Sequence, residues 1–148
     1  MTSSVDPTAE MAAISTRLTA LGAPFYDGVP QGAELDKDGF GNLVPYRDMQ
    51  PGGVTPSARQ RLLAAEEQSQ PYVWAFQIAH VASSRSEAVN LSIETDKTLI
   101  GWAPTTNASK IGTFFFTVYD EFAKEGERVK WIATRFYETT LGQNPDLA

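Results

Sequence analysis

The sequence has no cysteine, which excludes a disulfide framework and all thiol chemistry. It has one histidine, His80, so a histidine-rich metal site is excluded and a catalytic triad has a single candidate base. Positive charge is scarce: 12 Lys and Arg stand against 18 Asp and Glu, a net charge of −6. A basic nucleic-acid footprint is therefore absent, although an acidic wall along which DNA slides without sticking is compatible with this balance. No stretch approaches the roughly 18 apolar residues that span a bilayer. The opening Met1-Thr-Ser-Ser-Val-Asp6 lacks the basic region and apolar core of a signal peptide, so a soluble protein made in the cytoplasm is expected. Neither a Gly-x-Ser-x-Gly elbow nor a phosphate-binding glycine loop occurs.

What is present is the material of a core. The chain has 148 residues, 42% hydrophobic and 11% aromatic, which is enough for one domain over 1–148 with a buried interior. Asp6-Pro7 starts a first helix, with Asp6 as N-cap and Pro7 in the first position. Met11, Ile14, Leu18 and Leu21 form its apolar stripe, and Gly22 and Pro24 stop it. Phe25-Tyr26 opens an extended segment, and residues 27–42 are rich in turns. Leu43 to Met49 reads as a short strand that Pro45 confines to an edge or bulge. Residues 50–70 change composition and read as an excursion from the core, with a weakly patterned helical stretch from Ser57 to Gln68.

Residues 71–82 alternate strictly: Tyr72, Trp74, Phe76, Ile78 and His80 share one face of a strand, and Val73, Ala75, Gln77, Ala79 and Val81 the other. Ser84 and Glu87 form a capping box for a second helix. Val89, Ile93 and Ile100 are its predicted buried face, with Asp96 and Lys97 outside, and Gly101-Trp102-Ala103-Pro104 ends it. Ile111 to Tyr119 reads as a strand covered on both sides, Asp120 to Glu127 as a charged connection, Arg128 to Thr140 as a last strand, and 141–148 as a tail. The predicted fold class is α+β, a mixed or antiparallel sheet of about four to five strands flanked by two main helices, with the 50–70 excursion.

Few residues carry chemistry. Asp36-Lys37-Asp38-Gly39-Phe40-Gly41-Asn42 resembles the start of a calcium loop, but Phe40 and Arg47 stand where two ligands are needed, so a solvated turn is favoured and no metal is expected. His80 lacks an activating carboxylate and a nucleophile in sequence and reads as a structural or interface histidine. Asp120, Glu121, Glu125 and Glu127 read as a solvated acidic loop or as an acidic surface facing DNA. Arg59 and Arg61, with Glu66 and Glu67 behind them, are equally compatible with docking on a neighbouring copy and with a solvated helix. Trp74, Phe76, Trp102, Phe114, Phe116, Trp131 and Phe136 read first as core and second as an aromatic ligand cup.

The run Leu21-Gly22-Ala23-Pro24-Phe25-Tyr26-Asp27-Gly28-Val29-Pro30 after an N-terminal helix carries a resemblance. So do the strand with Trp74, Phe76 and Gln77 and the helix ending Leu99-Ile100-Gly101-Trp102-Ala103-Pro104. Together they are similar to the tail terminator proteins of long-tailed bacteriophages, particularly those of actinobacterial phages. The resemblance covers residues 8–104 and extends to the rest by order of elements; the long 31–70 region departs from it. It implies an α/β fold with a sheet flanked by helices and a homo-oligomer, a hexameric ring at the head–tail junction of the virion. Such a ring caps the tail tube protein and meets a head-side connector or head-closure protein, and DNA passes through its lumen without specific binding. No catalysis, cofactor or membrane contact is implied. On this reading the sheet edge at Leu43–Met49 or the 50–70 arm supplies contacts between copies. The interface candidates are Arg59, Arg61, Trp102, Asp120, Glu121, Glu125 and Glu127. A head-closure or other neck adaptor is one alternative. A small-molecule-binding α+β domain using His80 or a buried carboxylate is the other.

Overall fold

The computed structural model describes residues 6–27, 44–56, 72–122 and 129–142. The elements follow the predicted order: helix α1 (Thr8–Thr19), strands β1 (Phe25–Asp27), β2 (Tyr46–Pro56) and β3 (Tyr72–Ala82), helix α2 (Arg85–Leu99), and strands β4 (Gly112–Phe122) and β5 (Val129–Leu141). Five strands form one mixed sheet in the order β1-β2-β3-β5-β4. β1 runs parallel to β2, and every other neighbouring pair is antiparallel. The fold class is therefore α+β, as the patterning predicts.

Local chemistry sets most boundaries. Asp6 Oδ1 accepts the Thr8 N–H at 3.0 Å, the N-cap to N2 geometry expected of it, although regular helix begins one residue after Pro7. The last turn of α1 closes through Leu21 N–H to Leu18 and Gly22 N–H to Thr19. Gly22 then takes a φ of +97°, a conformation that favours a residue without Cβ. Ser84 Oγ accepts the Glu87 N–H at 3.2 Å at the start of α2. Gly101, at φ +83°, ends that helix in the C′ position.

The strand alternation on β3 holds. Trp74, Phe76, Ile78 and His80 are buried, and Val73, Ala75, Gln77 and Ala79 are half-buried. Both helices pack on the face of Trp74. Ile14 and Leu18 from α1 and Leu99 from α2 join Met49, Trp74, Phe76, Ile78, Tyr137 and Leu141 in the main core, with Met11, Leu21, Phe25 and Trp102 at its margin. Trp74, Phe76 and Tyr137 stack in sequence, with ring centroids 4.6 and 5.4 Å apart. The opposite face carries a smaller cluster of Tyr46, Val81 and Ile132 bordered by Tyr26 and Ala79.

Several sequence expectations require correction. The segment predicted as an edge strand at Leu43–Met49 is interior from Arg47 to Met49, because β1 pairs its outer side. Pro51 is accommodated at an irregularity between Pro51 and Val54. The excursion expected over 50–70 begins as strand, since β2 runs to Pro56; residues 57–71 lie outside the described residues. β4 continues through Asp120, Glu121 and Phe122, so the charged connection starts later than Asp120. Leu141, the first residue of the expected tail, is buried in β5.

The largest correction concerns α2. Its buried residues are Ala88, Ser92, Thr95 and Leu99, not Val89, Ile93 and Ile100. Ile93 and Ile100 are exposed. Asp96, placed outside by its charge, lies half-buried and is bonded to two sheet residues. The helix is turned this way because the sheet beneath it is polar.

Candidate functional site

The polar layer comes from three strands. β2 supplies Arg47, β3 supplies His80, which pairs with it in register, and β5 supplies Ala133, Arg135 and Tyr137. Arg47 and His80 are fully buried. Arg47 Nε donates to Thr95 Oγ1 at 2.8 Å. His80 Nδ1 lies 2.8 Å from the Ala133 carbonyl, which only accepts, so Nδ1 carries the ring proton. Nε2 then accepts from Thr95 Oγ1 at 2.7 Å, in preference to that hydroxyl's longer 3.2 Å contact with the Leu91 carbonyl. The result is a relay of Arg47 to Thr95 to His80 to the β5 backbone. Burial away from water, joined by the positive Arg47 and Arg135 nearby and opposed by the Ala133 carbonyl, lowers the His80 pKa to about 3.

A second set borders the first. Asp96 receives Arg135 Nη1 at 2.7 Å and the Tyr137 hydroxyl at 2.6 Å, and Arg135 Nε donates to Ser92 Oγ at 3.1 Å. Burial and the bond to Asp96 raise the Tyr137 phenol pKa far above its ordinary value. Burial lowers that of Arg47, and Glu94, 4.0 Å away and half exposed, opposes the shift. Arg47 Nη1 and Trp74 Nε1 are buried without a hydrogen-bond partner. Arg47, His80 and Thr95 are closed against water, and the partly buried Arg135 and Asp96 are bonded to each other. The Thr95 hydroxyl lies on His80 Nε2 as a nucleophile lies on its base, but both side chains are fully buried and Thr95 Oγ1 is also held by Arg47, which closes the pair to a substrate. Among the described residues no group of three or more His, Asp or Glu is placed to hold a metal. The sequence reading of His80 as structural agrees with this geometry. Thr95 and Ser92 were missed because hydroxyls on a helix carry no periodic signal of burial.

The other notable surface is the edge strand β4. Its predicted burial on both sides does not occur: Phe114, Phe115, Phe116 and Tyr119 are exposed by 54, 56, 38 and 48%. A register shift between Thr113 and Phe115 puts three consecutive phenylalanines at the rim of the sheet. Phe114 and Phe115 lean on Phe136, with centroids 6.1 and 5.3 Å away, and Phe116 lies under the Arg135 guanidinium at 3.9 Å. The aromatic ligand cup does not form from these residues. Trp74 is packed core, Phe114 and Phe116 are at the edge, and of the seven aromatics only Phe76 and Phe136 reach the open depression that Gln50, Gly52, Ala75 and Gln77 also line.

Of the sequence candidates for an interface, Trp102, Asp120 and Glu121 lie among the described residues. Trp102 is half-buried at the core margin, its ring covered by the Arg17 guanidinium at 4.4 Å, while Arg17 Nε bonds the Thr98 carbonyl. Asp120 is exposed on β4 opposite Trp131, and Glu121 pairs through its backbone with Lys130. Arg59, Arg61, Glu125 and Glu127 lie outside the described residues, as does the calcium-like turn from Asp36 to Asn42.

A virion chain shares this fold. It belongs to the solved virion of a native gene transfer agent particle, and the likeness covers 91% of this chain and 91% of that one, with a TM-score of 0.53 and 14% sequence identity. At that identity the match establishes the architecture. No family model and no curated protein matches the chain. No described helix is long and apolar enough to cross a membrane.

Proposed function

We propose that this chain is a non-enzymatic structural protein of a phage-like virion, and within it a tail terminator. As such it forms a homohexameric ring that caps the tail tube and joins it to the head-side connector. The observation that carries the reading is the fold likeness, over nine-tenths of both chains, to a chain of a gene transfer agent virion. Two features of the molecule support it. Its buried polar groups are tied into the scaffold rather than presented to a substrate. Its most exposed apolar side chains sit together on one sheet edge, where a neighbouring protein has access to them.

The charge balance fits a DNA conduit. Six copies carry six times −6, or −36. An acidic lumen lets DNA pass without adhering, and a heterologous interface that closes on itself generates the ring. A neck adaptor of different symmetry has no observation in its favour over this reading. Sedimentation of the purified protein across a concentration series, with electron micrographs of the same samples, tests it. Closed rings of six, or capping of one end of added tail tubes, are expected. A protein that neither assembles nor binds tubes, and instead gains thermal stability from small ligands at fixed protein concentration, overturns it.

A further inference from the structure

β4 is the last strand in the sheet order, and Phe114, Phe115, Phe116 and Tyr119, exposed by 38 to 56%, leave its middle open to a neighbour. Its start is covered: Ile111 donates its N–H to the Trp102 carbonyl and accepts from the Gly101 N–H, both at 3.0 Å. Solvated edge strands are normally blunted by lysine, proline or an inward charge. Thr113 to Tyr119 carries none of these. Backbone direction along this stretch follows from β5. Thr140 accepts from the Ser109 N–H and donates its own N–H to Ser109 Oγ, each at 2.8 Å, on the side of β5 that faces β4. Alternation then turns the backbone groups of Phe136, Thr134 and Ile132 toward their β4 partners Phe115, Thr117 and Tyr119. Phe116 and Val118 are left with N–H and C=O pointing away from the sheet.

Side chains alternate in the same rhythm. Phe115 leans on Phe136 and Tyr119 lies opposite Ile132, on the face away from the helices. Phe116 under Arg135 and Val118 beside Ala88 lie on the helix face. A second copy of β4, antiparallel and with the two-fold axis at Thr117, satisfies both patterns. Phe116 of each copy exchanges backbone bonds with Val118 of the other. Phe115 faces Tyr119 of the other copy in the closer, non-hydrogen-bonded kind of pair, and Thr117 faces Thr117. Other registers match less well. An axis at Val118 sets Asp120 opposite Phe116, and an axis at Phe116 sets Phe115 opposite Thr117. With the axis at Thr117, Asp120 comes level with Phe114, so no charge faces a like charge. The irregularity between Thr113 and Phe115 ends the ladder before it reaches the Gly101–Trp102 cover. The four aromatics leave roughly 300–500 Å² uncovered on each copy. Two copies with their strand backbones then bury about 1,000 Å², the lower range of specific interfaces.

We propose that β4 pairs with β4 of a second copy about a two-fold axis at Thr117, joining the two sheets into one, with Phe115 and Tyr119 as the apolar anchors. The contact goes beyond the ring reading and does not rest on it. It is isologous and closed, whereas a ring is built from a heterologous contact between different surfaces.

The chain has no cysteine, so a single substitution places one thiol on each copy. Thr117→Cys brings the two thiols together at the axis, whereas Thr113→Cys leaves them about 27 Å apart along the ladder. Under mild oxidation Thr117→Cys is expected to form a covalent dimer about tenfold or more faster than Thr113→Cys. Sedimentation of the wild-type protein should show a dimer that dissociates on dilution. Phe115→Lys should leave the circular dichroism unchanged and weaken that dimer by about tenfold or more, while Ile93→Lys on the exposed side of α2 dimerises normally. A dimer in which both thiols crosslink at the same rate, or Thr113→Cys faster, overturns the pairing. Protein that is monomeric at every concentration overturns it too, as do six-membered rings in which Thr117→Cys does not crosslink. In each of these cases the capping of tail tubes still decides the ring reading by itself.

Discussion

The covered face of the sheet has two ends built on different chemistry. At one end α1 and the last turn of α2 press Ile14, Leu18 and Leu99 onto Met49, Trp74, Phe76 and Ile78. At the other end the body of α2 sets Ser92, Thr95 and Asp96 over Arg47, His80 and Arg135. Apolar packing is non-directional and tolerates small shifts, whereas hydrogen bonds fix distance and angle. The first end supplies burial. The second fixes the rotation of α2, since a turn toward its isoleucines would leave a buried arginine, an imidazole and a phenol without partners, each at a full desolvation cost.

The comparison can be broken from either end. Trp74→Ala removes the largest buried side chain of the apolar end and should cost about 3–5 kcal/mol in chemical denaturation, with no change in the pH dependence of stability. The polar end should instead be sensitive to acid. His80 is held neutral with its pKa lowered to about 3, below its value in the unfolded chain, so the unfolded state binds the extra proton. Its contribution is complete above the unfolded pKa and is lost as pH falls from there toward the folded value. At about 1.4 kcal/mol per unit, stability between pH 7 and pH 4 should fall by about 3 kcal/mol more in wild type than in His80→Gln. Equal acid slopes for the two proteins would show that the imidazole is not sealed from water.

Thr95→Val keeps the shape of the relay residue and deletes its hydroxyl, leaving Arg47 Nε and His80 Nε2 unpaired. A loss of about 2–4 kcal/mol is expected, against near neutrality if the network contributes nothing. Gly52→Ala should cost about 1–3 kcal/mol, because an added Cβ would lie 2.5 Å from the Ala75 carbonyl oxygen and the backbone must shift. Ile93→Ala should change stability by less than about 0.5 kcal/mol. A large loss there would restore the apolar reading of α2 that the sequence suggests and the structure rejects.

The elements were legible because their signals are local. Strict alternation from Tyr72 to Val81, the Ser84 and Glu87 cap, and the Met11–Leu21 stripe each need only neighbours in the chain to be read. The face of α2 was not legible. Two isoleucines and a valine outweighed Ser92 and Thr95 in any hydrophobic pattern, and only the arrival of Arg47 from β2 and His80 from β3 reverses the preference. The aromatic run at Phe114–Phe116 was likewise read as core because nothing in it says whether a strand will lie inside a sheet or at its edge. Of the residues expected to make contacts between copies, Trp102 proved to be packed at the core margin under Arg17. The exposed β4 aromatics emerged from exposure and strand order alone.

By itself the sequence determined the kind and order of the elements and excluded thiol chemistry, because capping, alternation and composition act within a few residues of one another. The tertiary structure decided which strand is the edge, which side of α2 is buried and which phenylalanines meet water. Those outcomes depend on pairing and burial between segments tens of residues apart, where the cost of an unpartnered buried polar group outweighs local hydrophobic preference.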